Sequence, residues 1–453
     1  MGFFGVVHDQ VTLWIAMSPQ LTLQTPLQLP PEEIPVYLEN LWAYEKDQPG
    51  TTGANTFCLL VWQPAWLEQH LVRTGRINGP IIGSQRKGLV TAARELVLEG
   101  DLPHSTPPFD QRVTDVISKN DVEISYEDLR GQHIDSAIST LHPRRLITLA
   151  PTLDDEQKLD TLVAAYCPLP EDGRGPSACG DVIVFRGGLK SLKKRIEIID
   201  PLTFTDLPCW LWWNGRLDEA PELLDSLALS PRRLVVDSAL GKPDKCLLFL
   251  TDRVQKNQAI YDLNWLRFRS WRETLAIIFD PPFRHSVLQN VVQLDIDIEG
   301  RHPVQGLLLA SWLADRLDWK LVDTVNTNGE GIAFEFQRRD LEKVQFRLSP
   351  LPVGKPSIHP GQIVGIRLIC KSKHDPKDDL CVILGAESGE CMRLEAGGMA
   401  NMELLEEVVP NQNISVERDV ARLLGTSRGS TGPLFASALP LAEKMFNLSK
   451  ESF

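Results

Sequence analysis

One pentapeptide in the chain spells a nucleophile elbow. Gly425-Thr426-Ser427-Arg428-Gly429 fits Gly-x-Ser-x-Gly. In that motif a serine sits on a sharp strand-to-helix turn, and the triad histidine follows it in the chain. The order of residues here argues against such chemistry. A helix near Val416–Leu424 precedes the motif, Ser430-Thr431-Gly432-Pro433 follows it, and the last histidine of the chain is His374. Ser427 is therefore read as a loop residue. Gly83–Gly88 (GSQRKG) is no better as a phosphate loop, because Leu89 stands where the Walker lysine belongs. Gly187-Gly188 follows an apolar run but lacks the third glycine of a dinucleotide fingerprint, and reads as a turn. The nine histidines are scattered without zinc spacing. The expectation is a chain with no catalytic residues, no metal and no cofactor, which is not an enzyme.

Two further features are able to bind. Lys190, Lys193, Lys194 and Arg195 form a basic cluster in a chain of net charge −13. Such a cluster is either a solvated helix face or a dock for an acidic partner or a phosphate. Trp212 and Trp213, in LPCWLWWNG, are candidate partner-binding residues, since exposed tryptophans make interface hot spots. Adjacent strand residues point to opposite faces, so at least one of the two is read as core.

Bulk properties narrow the class. The chain has 453 residues, 43% hydrophobic and 24% charged, which is ordinary globular composition. Its acidity argues against tracking a nucleic-acid backbone or adsorbing to an anionic membrane. No apolar run approaches the roughly 20 residues that span a bilayer. Met1–Ala16 has no basic stretch, and His8, Asp9 and Gln10 break its apolar run, so it is not read as a signal peptide. Val6 stands where a myristoylation signal wants Ser or Thr. Eight cysteines (58, 167, 179, 209, 246, 370, 381 and 391) without a Cys-x-x-Cys read as reduced thiols in a cytoplasmic protein.

The elements that position these residues follow from periodicity. Phe57–Gln63, Arg145–Leu149, Val182–Arg186, Pro208–Trp213 and Arg233–Asp237 are short and apolar throughout, as strands buried on both faces are. Helices are expected near Glu32–Glu45, over Glu127–Leu141 and over Glu156–Tyr166. The alternation predicts a wound, largely parallel α/β sheet with flanking helices. Beyond 241, Ser270 and Glu273 have capping-box spacing, Asp280-Pro281-Pro282 ends that helix, and Pro303 opens another. Alternation at Ile332/Phe334/Phe336, Val344/Phe346/Leu348 and Val364/Ile366/Leu368/Cys370 predicts an α+β domain with an antiparallel meander. A helix near Leu439–Phe446 closes the chain. The expected domains are an N-terminal extension over 1–50, an α/β domain over 51–240, an α+β domain over 241–400 and a helical tail over 401–453, with an insertion at 75–125.

Six segments carry a resemblance. They are Cys179–Gly188 (CGDVIVFRGG), Asp206–Gly215 (DLPCWLWWNG), Arg232–Ser238 (RRLVVDS), Asp262–Asp280 (DLNWLRFRSWRETLAIIFD), Leu307–Trp319 (LLLASWLADRLDW) and Gly389–Leu394 (GECMRL). In this order the chain resembles the glucose-6-phosphate dehydrogenase assembly protein family, OpcA, over roughly residues 50–400, with Thr274 where the family pattern has Leu. The resemblance implies a non-catalytic allosteric activator. Such a protein binds glucose-6-phosphate dehydrogenase, favours its active oligomer and tunes the oxidative pentose phosphate pathway, with thioredoxin as a further partner. The competing reading is a sugar-phosphate or nucleotide-binding α/β module or enzyme, using the carboxyl edge of the sheet.

Thioredoxin control needs two cysteines that can meet. A symmetric hairpin centred at Asp375-Pro376 places Cys370 opposite Cys381, and the next turn places Cys391 opposite Ala386. The resemblance instead implies Cys391 paired with Cys381, which requires a loop between them. Docking candidates are Lys193, Lys194, Trp265, Arg267, Arg269 and Trp271, of which the last four serve equally well as core and capping residues.

Overall fold

The computed structural model describes residues 21–23, 27–45, 51–53, 55–62, 144–151, 155–168, 177–203, 206–229, 232–325, 331–352, 361–373, 375, 379–388, 391–398, 405–410, 420, 422–424 and 430–449. The motif at Ser427, the loop at 83–88, the helix expected over Glu127–Leu141, the 75–125 insertion and the 1–16 extension lie outside these. Two compact units are present, Met1–Trp212 with Val420–Thr426, and Trp213–Asp419 with Ser427–Phe453. The sequence reading places its boundary at 240/241.

The first unit contains β1 (Leu21–Leu23), β2 (Leu27–Gln28), α1 (Ile34–Glu45), β3 (Thr51–Gly53), β4 (Phe57–Trp62), β5 (Arg144–Pro151), β6 (Asp160–Pro168), β7 (Ser177–Gly187), α2 (Leu189–Lys194), α3 (Ile199–Leu202) and β8, which begins at Cys209 and runs to Trp213. Strand order is β1-β6-β7-β5-β4-β8, with β2 also on β6 and β3 also on β7. The pairs β4–β5, β5–β7 and β3–β7 are parallel. Every residue of β4 and β5 is buried, which is why their sequences show no polar alternation. One charge buried in this sheet sits beside its counter-ion. Arg145 Nε and Nη2 donate to Asp181 Oδ1 and Oδ2 at 2.8 Å each, and Nη1 donates to the Leu202 carbonyl at 2.9 Å.

The helix expected over Glu156–Tyr166 is not formed. Those residues lead into β6, which pairs antiparallel with β7 from Asp160↔Arg186 to Tyr166↔Gly180. Leu159, Leu162, Val163 and Tyr166 mimic a helical stripe. The open edge of β7, however, offers a full ladder of backbone hydrogen bonds, and the β-branched Thr161 and Val163 are buried within it.

The second unit holds α4 (Pro221–Ala228), β9 (Arg233–Val236), α5 (Pro243–Gln255), β10 (Ile260–Asp262), α6 (Leu263–Arg267), α7 (Arg269–Phe279), α8 (Pro282–Leu288), β11 (Val291–Glu299), α9 (Val304–Leu317), β12 (Lys320–Val325), β13 (Ile332–Gln337), β14 (Lys343–Leu351), β15 (Ile363–Cys370), β16 (Leu380–Ser388), β17 (Cys391–Gly398), β18 (Leu405–Pro410) and α10 (Pro433–Ser449). β9 and β10 are parallel. β11 to β18 form one sheet in the order β12-β13-β14-β11-β15-β16-β17-β18. All its pairs are antiparallel except β11–β14, so the meander is interrupted by a central parallel strand absent from the sequence reading. Residues set aside as a helical tail supply its last strand, β18.

α9 lies on β11 and β14, burying Leu307, Leu308 and Ala310 against a sheet face built from Ile296, Ile298, Phe346 and Leu348. Gly306 permits this approach, because a Cβ there would collide with Leu348. α10 packs in turn against α9 and α5. Pro303 caps α9 as expected, and Asp318 ends it in the left-handed conformation, with φ 53°. The capping box at Ser270 is not formed. α6 and α7 are nearly continuous, so α7 begins at Arg269 after Phe268 and Ser270 is already inside it. Glu273 pairs with Arg269 instead, at 2.6 Å.

The hairpin registers correct both disulfide geometries. Cys370 faces Leu380, and Cys381 faces Ile369, one position away from the symmetric arrangement. Neighbouring positions alternate faces, so Cys370 is buried under the sheet while Cys381 lies on its other side. Cys391 faces Ser388 and not Ala386, because a bulge falls between Ala386 and Ser388. Seven residues of β16 then separate Cys381 from the Cys391 level, about 23 Å at strand rise. In the native protein under oxidant, Cys381 and Cys391 should remain unlinked. A cross-linked peptide in mass spectrometry would show instead that this hairpin opens.

Candidate functional site

β9 and β10 end side by side, and the residues that follow them converge. Asp237 and Ser238 leave the carboxyl end of β9, and Asp262 is the last residue of β10. Asp262 is the N-cap of α6, accepting from the Asn264 N–H at 3.2 Å. It also accepts from Ser238 N–H at 2.8 Å and Ser238 Oγ at 2.7 Å. Asn264 Nδ2 donates to Ser238 Oγ at 3.1 Å. Arg267, one helical turn on, forms an ion pair with Asp237 and reaches Asn264 Oδ1 at 3.3 Å.

The network then leaves the strand ends. Gln305 Nε2, on α9, donates to Asn264 Oδ1 at 2.9 Å, and its Oε1 accepts from the Ile363 N–H of β15 at 2.7 Å. One buried glutamine thereby ties α6, α9 and β15 together. Alongside, His302 Nε2 lies 3.1 Å from the Gly241 carbonyl, and burial holds its pKa down.

Asp262 is a carboxyl of this network whose protonation is shifted. Burial first, and the nearby Asp237 carboxylate second, push its pKa up to about 6 against an ordinary 3.8, in spite of the Ser238 hydrogen bonds and the Arg267 charge. A pKa raised on folding favours the native state at low pH. This contribution is complete below pH about 4 and is lost as pH rises through about 6, with a span of about 3 kcal/mol. Asp262→Asn should lower stability overall yet flatten its fall between pH 4 and 7. Unfolding midpoints across that range are the measurement, and an unchanged slope would reject the assignment.

The segment that follows is just as internal. Arg272 stacks its guanidinium over Trp265 at 3.7 Å and Phe268 at 5.0 Å, and burial lowers its pKa to about 10. Trp265 also meets Phe435 of α10 at 5.3 Å. The candidate docking residues therefore separate. Trp212, Trp213, Trp265 and Trp271 are all buried, with Trp213 Nε1 donating to the Arg216 carbonyl at 3.0 Å. Both members of the Trp212–Trp213 pair are core, because β8 is covered on both faces. Arg267 is committed to Asp237. Arg269 is exposed beside Glu273, Lys194 is exposed and Lys193 half-buried. Two other members of the basic cluster already hold acids, Lys190 with Glu156 and Arg195 with Glu32. An open pocket of about 490 Å³ in the second unit is lined by Leu217, Asp218, Lys242, Lys245, Leu248 and Phe249 among others.

Sequence reading missed Asp237, Ser238, Asp262, Asn264 and Gln305. The signal available for the first four was polar residues directly after Leu234–Val236 and Ile260–Tyr261, while Gln305 sits on a helix and had none.

Two family models match the chain in succession. The first, described as glucose-6-phosphate dehydrogenase subunit N-terminal domain, covers residues 135–252. The second, described as the C-terminal domain of the same subunit, covers residues 258–439. The chain belongs to the OpcA family. The OxPP cycle protein OpcA of Synechococcus elongatus is 30% identical over 88% of this chain and 92% of its own length. That of Nostoc punctiforme is 26% identical over 98% and 99%. Among solved structures, a 3-ketoreductase from Actinomadura kijaniata covers 55% of this chain and 79% of its own at 10% identity, with a TM-score of 0.37, too low to carry an argument. Within the OpcA-family match the polar network has a specific position. Asp237 and Ser238 fall in the first matched segment, while Asp262, Asn264, Arg267 and Gln305 fall in the second. The network is the brace that joins the two family segments. Its members are buried and hydrogen-bonded to one another, an arrangement suited to holding geometry.

Proposed function

We propose that this chain is a non-catalytic partner that binds glucose-6-phosphate dehydrogenase in the cytoplasm and favours its active oligomer. The observation that carries the reading is the successive match of both family domains, each described as part of a glucose-6-phosphate dehydrogenase subunit. Binding activates only if it favours the competent state of the enzyme over other states. The exposed cations Arg269 and Lys194, with Lys193, are the docking candidates that remain at the surface. Among the described residues no helix is long and apolar enough to cross a membrane.

The test is direct. The cognate dehydrogenase is assayed with and without this chain, and its mass is followed by light scattering. A fall in KM for glucose 6-phosphate together with a larger oligomer is expected. An unchanged KM and unchanged mass at saturating chain would reject the reading. Thioredoxin control belongs to the same proposal. Within the β16–β17 hairpin it would require the strands to part before Cys381 and Cys391 could meet. A sugar-phosphate-binding module or enzyme finds no support in the family match.

A further inference from the structure

Four side chains form a row across the first unit's sheet, near the start of its central strands. Asp181 of β7 lies opposite Arg145 of β5, and Arg145 lies opposite Cys58 of β4. β8 is the next strand after β4, held there by the Cys58 N–H donating to the Pro208 carbonyl at 2.9 Å. Cys209, the first residue of β8 and the neighbour of Pro208, completes the row, and its thiol is close enough to that of Cys58 to raise the Cys58 pKa. Cys58 is buried and Cys209 half-buried. From spacing alone these two residues, 151 positions apart, read as separate core thiols.

We propose that Cys58 and Cys209 are a redox-convertible dithiol, which a low-molecular-weight disulfide closes into a cross-strand disulfide. The geometry is suitable. Neighbouring strands lie about 4.8 Å apart, and a disulfide needs Cα atoms within about 4.4–6.8 Å of each other. Thiols on directly neighbouring strands need only a rotamer adjustment. Their accessibility sets the order of events. Cys209 is the sulfur a solute can reach, and Cys58 is the resolving sulfur behind it.

The chemistry balances with an external disulfide such as oxidised glutathione. The Cys209 thiolate attacks one sulfur of that disulfide, its S–S bond breaks, and the first glutathione leaves and takes up the proton that Cys209 gave away. Cys58 then attacks Cys209 Sγ in the mixed disulfide. The second glutathione leaves with the Cys58 proton. Two protein thiols are oxidised and one external disulfide is reduced to two thiols. The neighbouring Cys209 thiol first, then burial, hold the Cys58 pKa well above 9, with Arg145 pulling it down and Asp181 pushing it up. The product links β4 to β8 within one sheet.

This inference does not depend on the dehydrogenase, so it can fail or stand without the assembly role. Full-length protein in native buffer is exposed to oxidised glutathione, blocked with an alkylating agent, digested and mapped by mass spectrometry. A Cys58–Cys209 cross-linked peptide that disappears with dithiothreitol is expected. The Cys58→Ala variant should instead retain glutathione on Cys209, the trapped intermediate. The wild-type map decides even if that variant fails to fold. The proposal is overturned if both wild-type peptides are recovered alkylated, or if glutathione stays on Cys209 without transfer to Cys58.

Discussion

Replacing Arg145 with methionine should cost the native state about 3–5 kcal/mol. Asp181 has 0% side-chain exposure and Arg145 10%, so the pair sits inside the sheet of the first unit. Its attraction offsets desolvation because the geometry is bidentate and the remaining guanidinium nitrogen is occupied by the Leu202 carbonyl. Methionine fills much of the arginine volume but withdraws the bidentate guanidinium from a buried carboxylate. The loss comes chiefly from the desolvated charge that stays behind and much less from the missing attraction. Arg145→Met with Asp181→Leu should therefore recover a large part of the stability, since apolar replacement of both partners of a buried pair is often close to neutral. Guanidinium unfolding of the two variants measures this. A single variant within about 1 kcal/mol of wild type would show that water reaches Asp181.

Arg267→Ala should cost a similar amount, about 3–5 kcal/mol, and this decides what the residue is for. Its side chain is 9% exposed and that of Asp237 is 4% exposed. Removing the guanidinium leaves Asp237 charged beside Asp262, whose own pKa is already raised by that neighbour. It also removes a donor from Asn264, which Gln305 uses to connect α9 and β15. An interface residue behaves differently. Its alanine variant keeps the stability of the free protein and weakens binding to the dehydrogenase. Arg269→Ala, two residues on, is the control. Its exposed pair with Glu273 is worth at most about 0.5 kcal/mol, so any effect of that variant belongs to docking. If Arg267→Ala unfolds at the wild-type midpoint, the brace is not carried by this ion pair.

Much of the architecture was legible in the residues. Strands apolar along their whole length, such as Phe57–Trp62 and Arg233–Val236, are buried on both faces, and no other environment suits them. Alternation in Lys343–Leu351 marks a sheet with one covered face, and the structure places Val344, Phe346 and Leu348 there. The prolines at 281, 282 and 303 mark helix ends because a ring lacking an N–H fits a first helical turn at no cost in hydrogen bonds. The family resemblance, resting on six short segments, also preceded any structure, and it is the part of the functional reading that the family models support.

Other features were decided by the tertiary structure. Asp160–Pro168 carries a helical stripe and is a strand, because the free edge of β7 had hydrogen bonds to offer that a local sequence cannot anticipate. The hairpin register, with a bulge in it, put Cys391 two positions from its expected partner, and a one-residue shift put Cys370 and Cys381 on opposite faces. Both candidate disulfides depended on a register that only the assembled sheet sets. The tryptophan and arginine block at 265–271 looked like an interface from its composition, yet stacking and ion pairing turn most of it inward. Residue types and spacing by themselves determined an α/β sheet and a following α+β region, and the resemblance of six segments added the family. Contacts between residues far apart in the chain, such as Cys58 with Cys209 and Asn264 with Gln305, exist only after folding, because side-chain placement depends on strand register and helix packing and not on sequence distance.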